Sequence, residues 1–72
     1  SIYTEDLEPM IAAVIRFSGK ANEQMLRDQT KNLLQWLEQA SYKVQSKPKY
    51  LFYNDPSTPG FLRRNEVMVQ VN

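Results

Sequence analysis

The chain has no cysteine and no histidine, only two glycines, and no long apolar run. Each absence removes an explanation. Without cysteine no disulfide can staple so short a chain, and without histidine, cysteine or a carboxylate cluster at ligand spacing a structural metal is excluded as well. Acid–base chemistry would fall to carboxylates and tyrosines alone. The longest apolar run, Met10 to Ile15, is far shorter than the ~20 residues a membrane-spanning helix needs, and no charged-then-apolar signal segment opens the chain. The sequence therefore reads as soluble and not membrane-spanning. Lack of cysteine fits any compartment, so cytoplasm and plastid both stay open. A single-signed charge surplus is missing too: nine Lys plus Arg face eight Asp plus Glu, for a net +1 with interspersed signs. That balance argues against nucleic acid as a partner.

Seventy-two residues allow one domain, 1–72. A core of that size supplies only roughly 3–5 kcal/mol unless something else helps. With staples excluded, the remaining help is oligomerisation or a missing second half. The opening serine in place of methionine points the same way, to processing or to a fragment of something longer.

What is present falls into four stretches. "SIYTEDLEP" is mixed and acidic, closed by Pro9. "MIAAVIRF" is apolar on both faces with Arg16 as its one charge, which predicts a strand buried on most of both sides. "SGKAN" is a breaker, with Gly19 free to take a backbone conformation that other residues resist. From Asn22 the period changes: Leu26, Thr30, Leu33, Leu34, Leu37 and Ala40 recur at helical spacing, predicting an amphipathic helix of about five turns. Asn22 is its expected N-cap, and Glu23 in the first turn suits the helix dipole. Trp36 and Met25 widen the apolar stripe.

After Ser41 a lysine-rich approach leads to an aromatic strand, Tyr50 to Tyr53, with Tyr50 and Phe52 on one face and Leu51 and Tyr53 on the other. Pro48 marks its start or an edge. The loop "NDPSTPG" then runs into "RRNEVMVQV", where Val67, Val69 and Val71 share a face and Glu66, Met68 and Gln70 share the other. The order is strand, helix, strand, strand: an α+β fold with an antiparallel sheet and one amphipathic helix. One helix covers one sheet face, and the other face calls for a second copy or a second half of a larger chain.

"AAVIRFSG", a helix ending "LLQWLEQA", and "YLFYNDPSTPGFLRRNEVMV" together resemble the C-terminal half of the SOUL family of haem-binding proteins. The resemblance runs from about Met10 onward, and "FLRRNEV" is its most specific element. It implies half of a distorted β-barrel, one strand-helix-strand-strand repeat of the two that family chains carry. It also implies a haem groove between the helix of the first repeat and the loop that here spans 54–62. The wider superfamily includes effector-binding domains of bacterial regulators, which hold small, often aromatic and cationic ligands, so ligand binding is implied more broadly than haem.

On that resemblance the candidate cofactor-binding residues are Tyr53, Asn54, Pro56, Phe61, Arg63 and Arg64. Prolines and glycine preorganise the loop. The aromatics offer faces for a tetrapyrrole, and a guanidinium can hold a propionate bidentately. Each has a plainer reading as well: Pro56, Pro59 and Gly60 shape a turn, and the arginines pair with Glu66 or Asp55 at the sheet rim. Haem is the expected cofactor. Iron would find only Met10, Met25, Met68 or a tyrosine as ligand, so a hydrophobic groove with weak or no ligation is expected. A non-enzymatic interaction module is the alternative. Catalysis is least favoured, with Glu66 near Tyr50 or Tyr53 as the one constellation it could use.

Overall fold

The computed structural model describes all residues except 21, 53–56, 58 and 60–62. In chain order the elements are β1 (Ile2–Leu7), β2 (Met10–Ser18), α1 (Glu23–Gln39), β3 (Lys49–Phe52) and β4 (Arg64–Val71). The strands form one antiparallel sheet in the order β1-β2-β4-β3. The expected α+β fold with one helix is therefore observed, as an open sheet.

The difference lies at the N-terminus, where the acidic stretch is a fourth strand. β1 pairs with β2 from Ile2↔Ile15 to Leu7↔Met10, across a two-residue turn at Glu8 and Pro9. Its acidic residues, which hid the strand pattern in the sequence, point to solvent along an edge. Ile2 packs against the core.

β2 and β4 are the centre of the sheet, in register from Ile11↔Val71 to Ser18↔Arg64. That register puts Ala13 and Ile15 beside Val67, Val69 and Val71 on one face, where Leu33 and Leu37 of α1 close the core. All seven are buried. Trp36 and Tyr42 stack at 6.1 Å and extend this cluster. On the opposite face Ala12 and Val14 are also buried, flanked in their rows by Gln70 and Met68, which bears out a strand buried on both sides at its middle. The aromatic strand is different: β3 is an edge strand of four residues, and Tyr50 and Phe52 are 44% and 56% exposed. Beyond it, the chain just before β3 continues along the β4 edge, with a Val44↔Val71 bridge and Gln45 N–H donating to the Gln70 carbonyl at 2.7 Å.

The helix is held at both ends by local chemistry. Asn22 is extended, and its Oδ1 accepts from the Met25 N–H at 2.8 Å, the N-cap the sequence led one to expect. At the other end Ser41 takes φ +64°, so that its N–H donates to the Glu38 carbonyl and the Tyr42 N–H to the Leu37 carbonyl. This pair of bonds is a Schellman closure, with serine where glycine is commonest. The β2–α1 turn is tied to β4: Gly19 N–H donates to the Arg63 carbonyl at 3.0 Å, and Asn65 Nδ2 donates to the Gly19 carbonyl at 2.8 Å. Gly19 has φ +111°, and an added Cβ would have room, 3.6 Å from Met25 Cε. Conformation and not space therefore requires glycine there.

Two stability effects follow. Ser41→Gly removes the left-handed penalty and is expected to stabilise the chain by about 0.5–1 kcal/mol, net of glycine's unfolded-state entropy. Asn65→Ala leaves the Gly19 turn unpinned and is expected to cost about 1–2 kcal/mol. Urea midpoints of the two variants should move in opposite directions.

Candidate functional site

The helix does not lie symmetrically over the sheet. Leu33 and Leu37 are buried on β2 and β4, while Leu34, which the helical spacing places on the apolar face, is 37% exposed and turns toward the β3 edge. Between α1 and β3 this leaves a groove of about 380 Å³, lined by Arg27, Thr30, Lys31, Leu34, Gln35, Glu38 and Tyr50. That volume is in the range of small-molecule sites. Tyr50 and Leu34 provide apolar surface. Thr30 is satisfied by donating to the Leu26 carbonyl at 2.7 Å, so its methyl is left for contact.

Two cations stand on the helical rim, Arg27 and Lys31, one turn apart. Arg27 pairs with Glu23 at 3.1 Å, but both side chains are largely exposed, 66% and 84%. A pair of that kind is worth little and exchanges readily for another carboxylate. The spacing Arg27, Lys31, Leu34, Gln35, Glu38 marks one flank of the helix, and this signal was readable in the sequence once the helix was placed. What the sequence could not show was that the flank overhangs a short edge strand.

A second polar constellation lies on the other face of the sheet. Glu66 is 3% exposed, and its Oε2 accepts from Arg16 Nε at 2.8 Å and from the Tyr3 hydroxyl at 2.9 Å. Arg16 Nη2 lies 2.7 Å from the same oxygen and 3.2 Å from the Tyr3 hydroxyl, and its guanidinium carbon is 5.4 Å from the Tyr3 ring centre. Three strands are thus riveted by one carboxylate. Desolvation, then the hydrogen bond to Glu66, push the Tyr3 hydroxyl above the usual tyrosine range. The hydrogen bond to Glu66 likewise raises Arg16.

This corrects the one catalytic constellation suggested by the sequence. Leu51, not Tyr50, is in register with Glu66. Tyr50 therefore faces the helix and Glu66 faces away. Tyr3, from the unforeseen strand, meets Glu66 instead, and Tyr53, the other tyrosine of that expectation, lies outside the described residues. Through its contacts to Arg16 and Tyr3 this carboxylate ties β4 to β2 and β1.

Of the six residues expected to bind cofactor, Tyr53, Asn54, Pro56 and Phe61 lie outside the described residues. Arg63 is half-buried just before β4 and presents its carbonyl to Gly19. Arg64 opens β4 opposite Ser18 and is exposed. Strand alternation gives Arg64 the face of Glu66 and Arg63 the face of the helix. Among the described residues no group of three or more Asp or Glu is placed to hold a metal ion, and no helix is long and apolar enough to cross a membrane.

An α+β unit with an open antiparallel sheet and a rimmed groove beside the one helix among the described residues is the class that these features define. The family model described as SOUL heme-binding protein matches residues 1–70, and the chain belongs to that family. The match includes β1, so it extends the resemblance past Met10 to the first residue. Comparison with curated proteins and with solved structures gives no match.

The Tyr3 contact makes a pH prediction. A tyrosine raised in the folded state contributes stability that is fully present below the unfolded value near 10 and is lost as pH rises through the higher folded value. Wild type should therefore lose more stability between pH 9 and 11 than Tyr3→Phe does. Paired denaturation curves at the two pH values measure the difference; parallel losses would detach Tyr3 from this role.

Proposed function

We propose that the chain is a tetrapyrrole-binding protein, without catalytic activity, and that its ligand lies in the groove between α1 and β3. The observation that carries this reading is the groove itself, apolar at Leu34 and Tyr50, with two cations, Arg27 and Lys31, against one acid, Glu38, at its rim. A porphyrin has that chemistry: a broad apolar face and two carboxylates. Membership in the SOUL heme-binding family supports the same ligand class.

Arg27 and Lys31 would hold one propionate from the helix. Arg63, which alternation turns to the helix side, would approach the other from the start of β4, with Arg64 a more distant second cation. Tyr53, Asn54, Pro56 and Phe61 would add contacts to the same ligand. Haem fits this donor set as a porphyrin more than as an iron centre. The chain has no histidine or cysteine, and Tyr50 is the one oxygen or sulfur ligand of the usual haem types among the lining residues. Iron, when present, would supply redox and gas-binding chemistry. The residues here supply a face, carboxylate anchors and exclusion of water.

Titration with haemin and with metal-free protoporphyrin IX tests this directly. Both should saturate near one per chain with affinities within about threefold, since little of the binding passes through iron. Leu34→Asp should weaken both by tenfold or more, and Arg63→Ala should cost more than Arg64→Ala, about 1–2 kcal/mol for a charge-assisted contact. Binding that rises without saturation and ignores Leu34 would instead assign the chain to protein interaction or to a different flat ligand.

A further inference from the structure

The sheet carries a lateral charge separation that its net charge of +1 conceals. One edge, β1 and the turn after it, presents Glu5 and Glu8. The opposite edge presents Lys47 and Lys49, and all four side chains are exposed. Among the described residues none of the four forms an ion pair within the chain. Between these edges, on the face away from α1, the sheet is open at its Met10 end. Leu7 and Met10 are 41% and 38% exposed. A depression of about 180 Å³ runs there from Leu7 and Met10 to Met68 and on to Lys47 and Lys49.

We propose that this face is a self-association surface, closed by a second copy of the chain related by a twofold axis running parallel to the strands. The charges select that axis. Rotation about a line along the strands sets β1 of one copy over the β3 edge of the other, so that Glu5, level with Ala12 and Gln70, meets the Lys47 and Lys49 edge twice, while Glu8 adds its charge from the turn past the strand end. Rotation about a line across the strands sets acid over acid and base over base. The same choice brings Ala12 over the partner's Gln70 and Val14 over its Met68, because β2 and β4 exchange places about the axis while each residue keeps its level along the strands. Sheets packed this way lie about 10 Å apart, and the axis gives a closed pair in place of an open chain.

The interface is small. Four strands at about 4.8 Å and some seven residues at about 3.3 Å give roughly 400 Å² of flat face per copy, the scale of a weak, reversible dimer. Its ion pairs make it sensitive to salt. Glu66, Arg16 and Tyr3 stay satisfied within each chain and are not needed for recognition.

Charge exchange tests the axis, and sedimentation equilibrium reads it. At about 100 µM and low salt the wild type should show a two-chain mass that falls toward one chain on dilution or in 1 M NaCl. Glu5→Lys with Glu8→Lys, and separately Lys47→Glu with Lys49→Glu, should each remain monomeric, while an equimolar mixture of the two variants regains the two-chain mass. All four sites are exposed, and circular dichroism checks that both variants fold. A wild type that stays monomeric, variants that still self-associate, or a ladder of larger masses would each overturn the proposal.

Discussion

The pairing of β2 with β4 is the constraint on which the rest depends. One register, set by Ile11↔Val71, decides at once which residues meet the helix and which meet solvent. Because side chains alternate strictly, a slip of one residue would send Val67, Val69 and Val71 to the open face and bring Glu66, Met68 and Gln70 under Leu33 and Leu37. Two polar contacts specify the same register from opposite sides of the sheet. Asn65 reaches back to the Gly19 carbonyl on the helix-side turn, and Glu66 holds Arg16 on the other face. The Asn-Glu pair in "RRNEV" is thus a register lock, with each residue fixing one face.

Much of this was legible in the sequence. The helix with its Asn22 cap, the valine alternation of β4 and the strand start after Pro48 are local patterns, and local periodicity states them directly. β1 was not legible. Its acidic residues give a poor strand pattern, and its place depends on Ile2 meeting the core and Tyr3 meeting Glu66, contacts between residues far apart in the chain. The groove failed for a related reason. The helical wheel groups Leu34 with Leu33 and Leu37, but a sheet that ends in a four-residue edge strand has no surface left to receive it. Family resemblance turned attention to the loop, whereas the described groove residues come mainly from α1.

The same asymmetry bears on energetics. Buried apolar surface is concentrated on β2, β4 and the inner face of α1, while Leu34, Tyr50 and Phe52 remain outside it. A chain this short has little stability in reserve. Leaving three large apolar side chains in water on one edge forgoes roughly 1.5–3 kcal/mol for each that could be buried. Such a cost persists most readily where something else covers the surface in use.

A ligand in the groove would then do more than occupy it. β3 contributes four residues and pairs only with β4, so it is the strand least supported by neighbours. Local opening is cheapest in such places. A molecule that packs on Tyr50 and Leu34 while anchored to Arg27 and Lys31 bridges this edge to the best-formed element of the fold. Binding to the folded state stabilises it by RT ln(1 + [L]/Kd), about 2.7 kcal/mol at a hundredfold excess over Kd, which is large beside what so small a core supplies alone. Ligand binding and folding would in this way be coupled through β3. Saturating porphyrin should therefore raise the thermal midpoint of wild type by several degrees and leave that of Leu34→Asp where it was, an outcome that differential scanning fluorimetry or calorimetry reads independently of the binding titration.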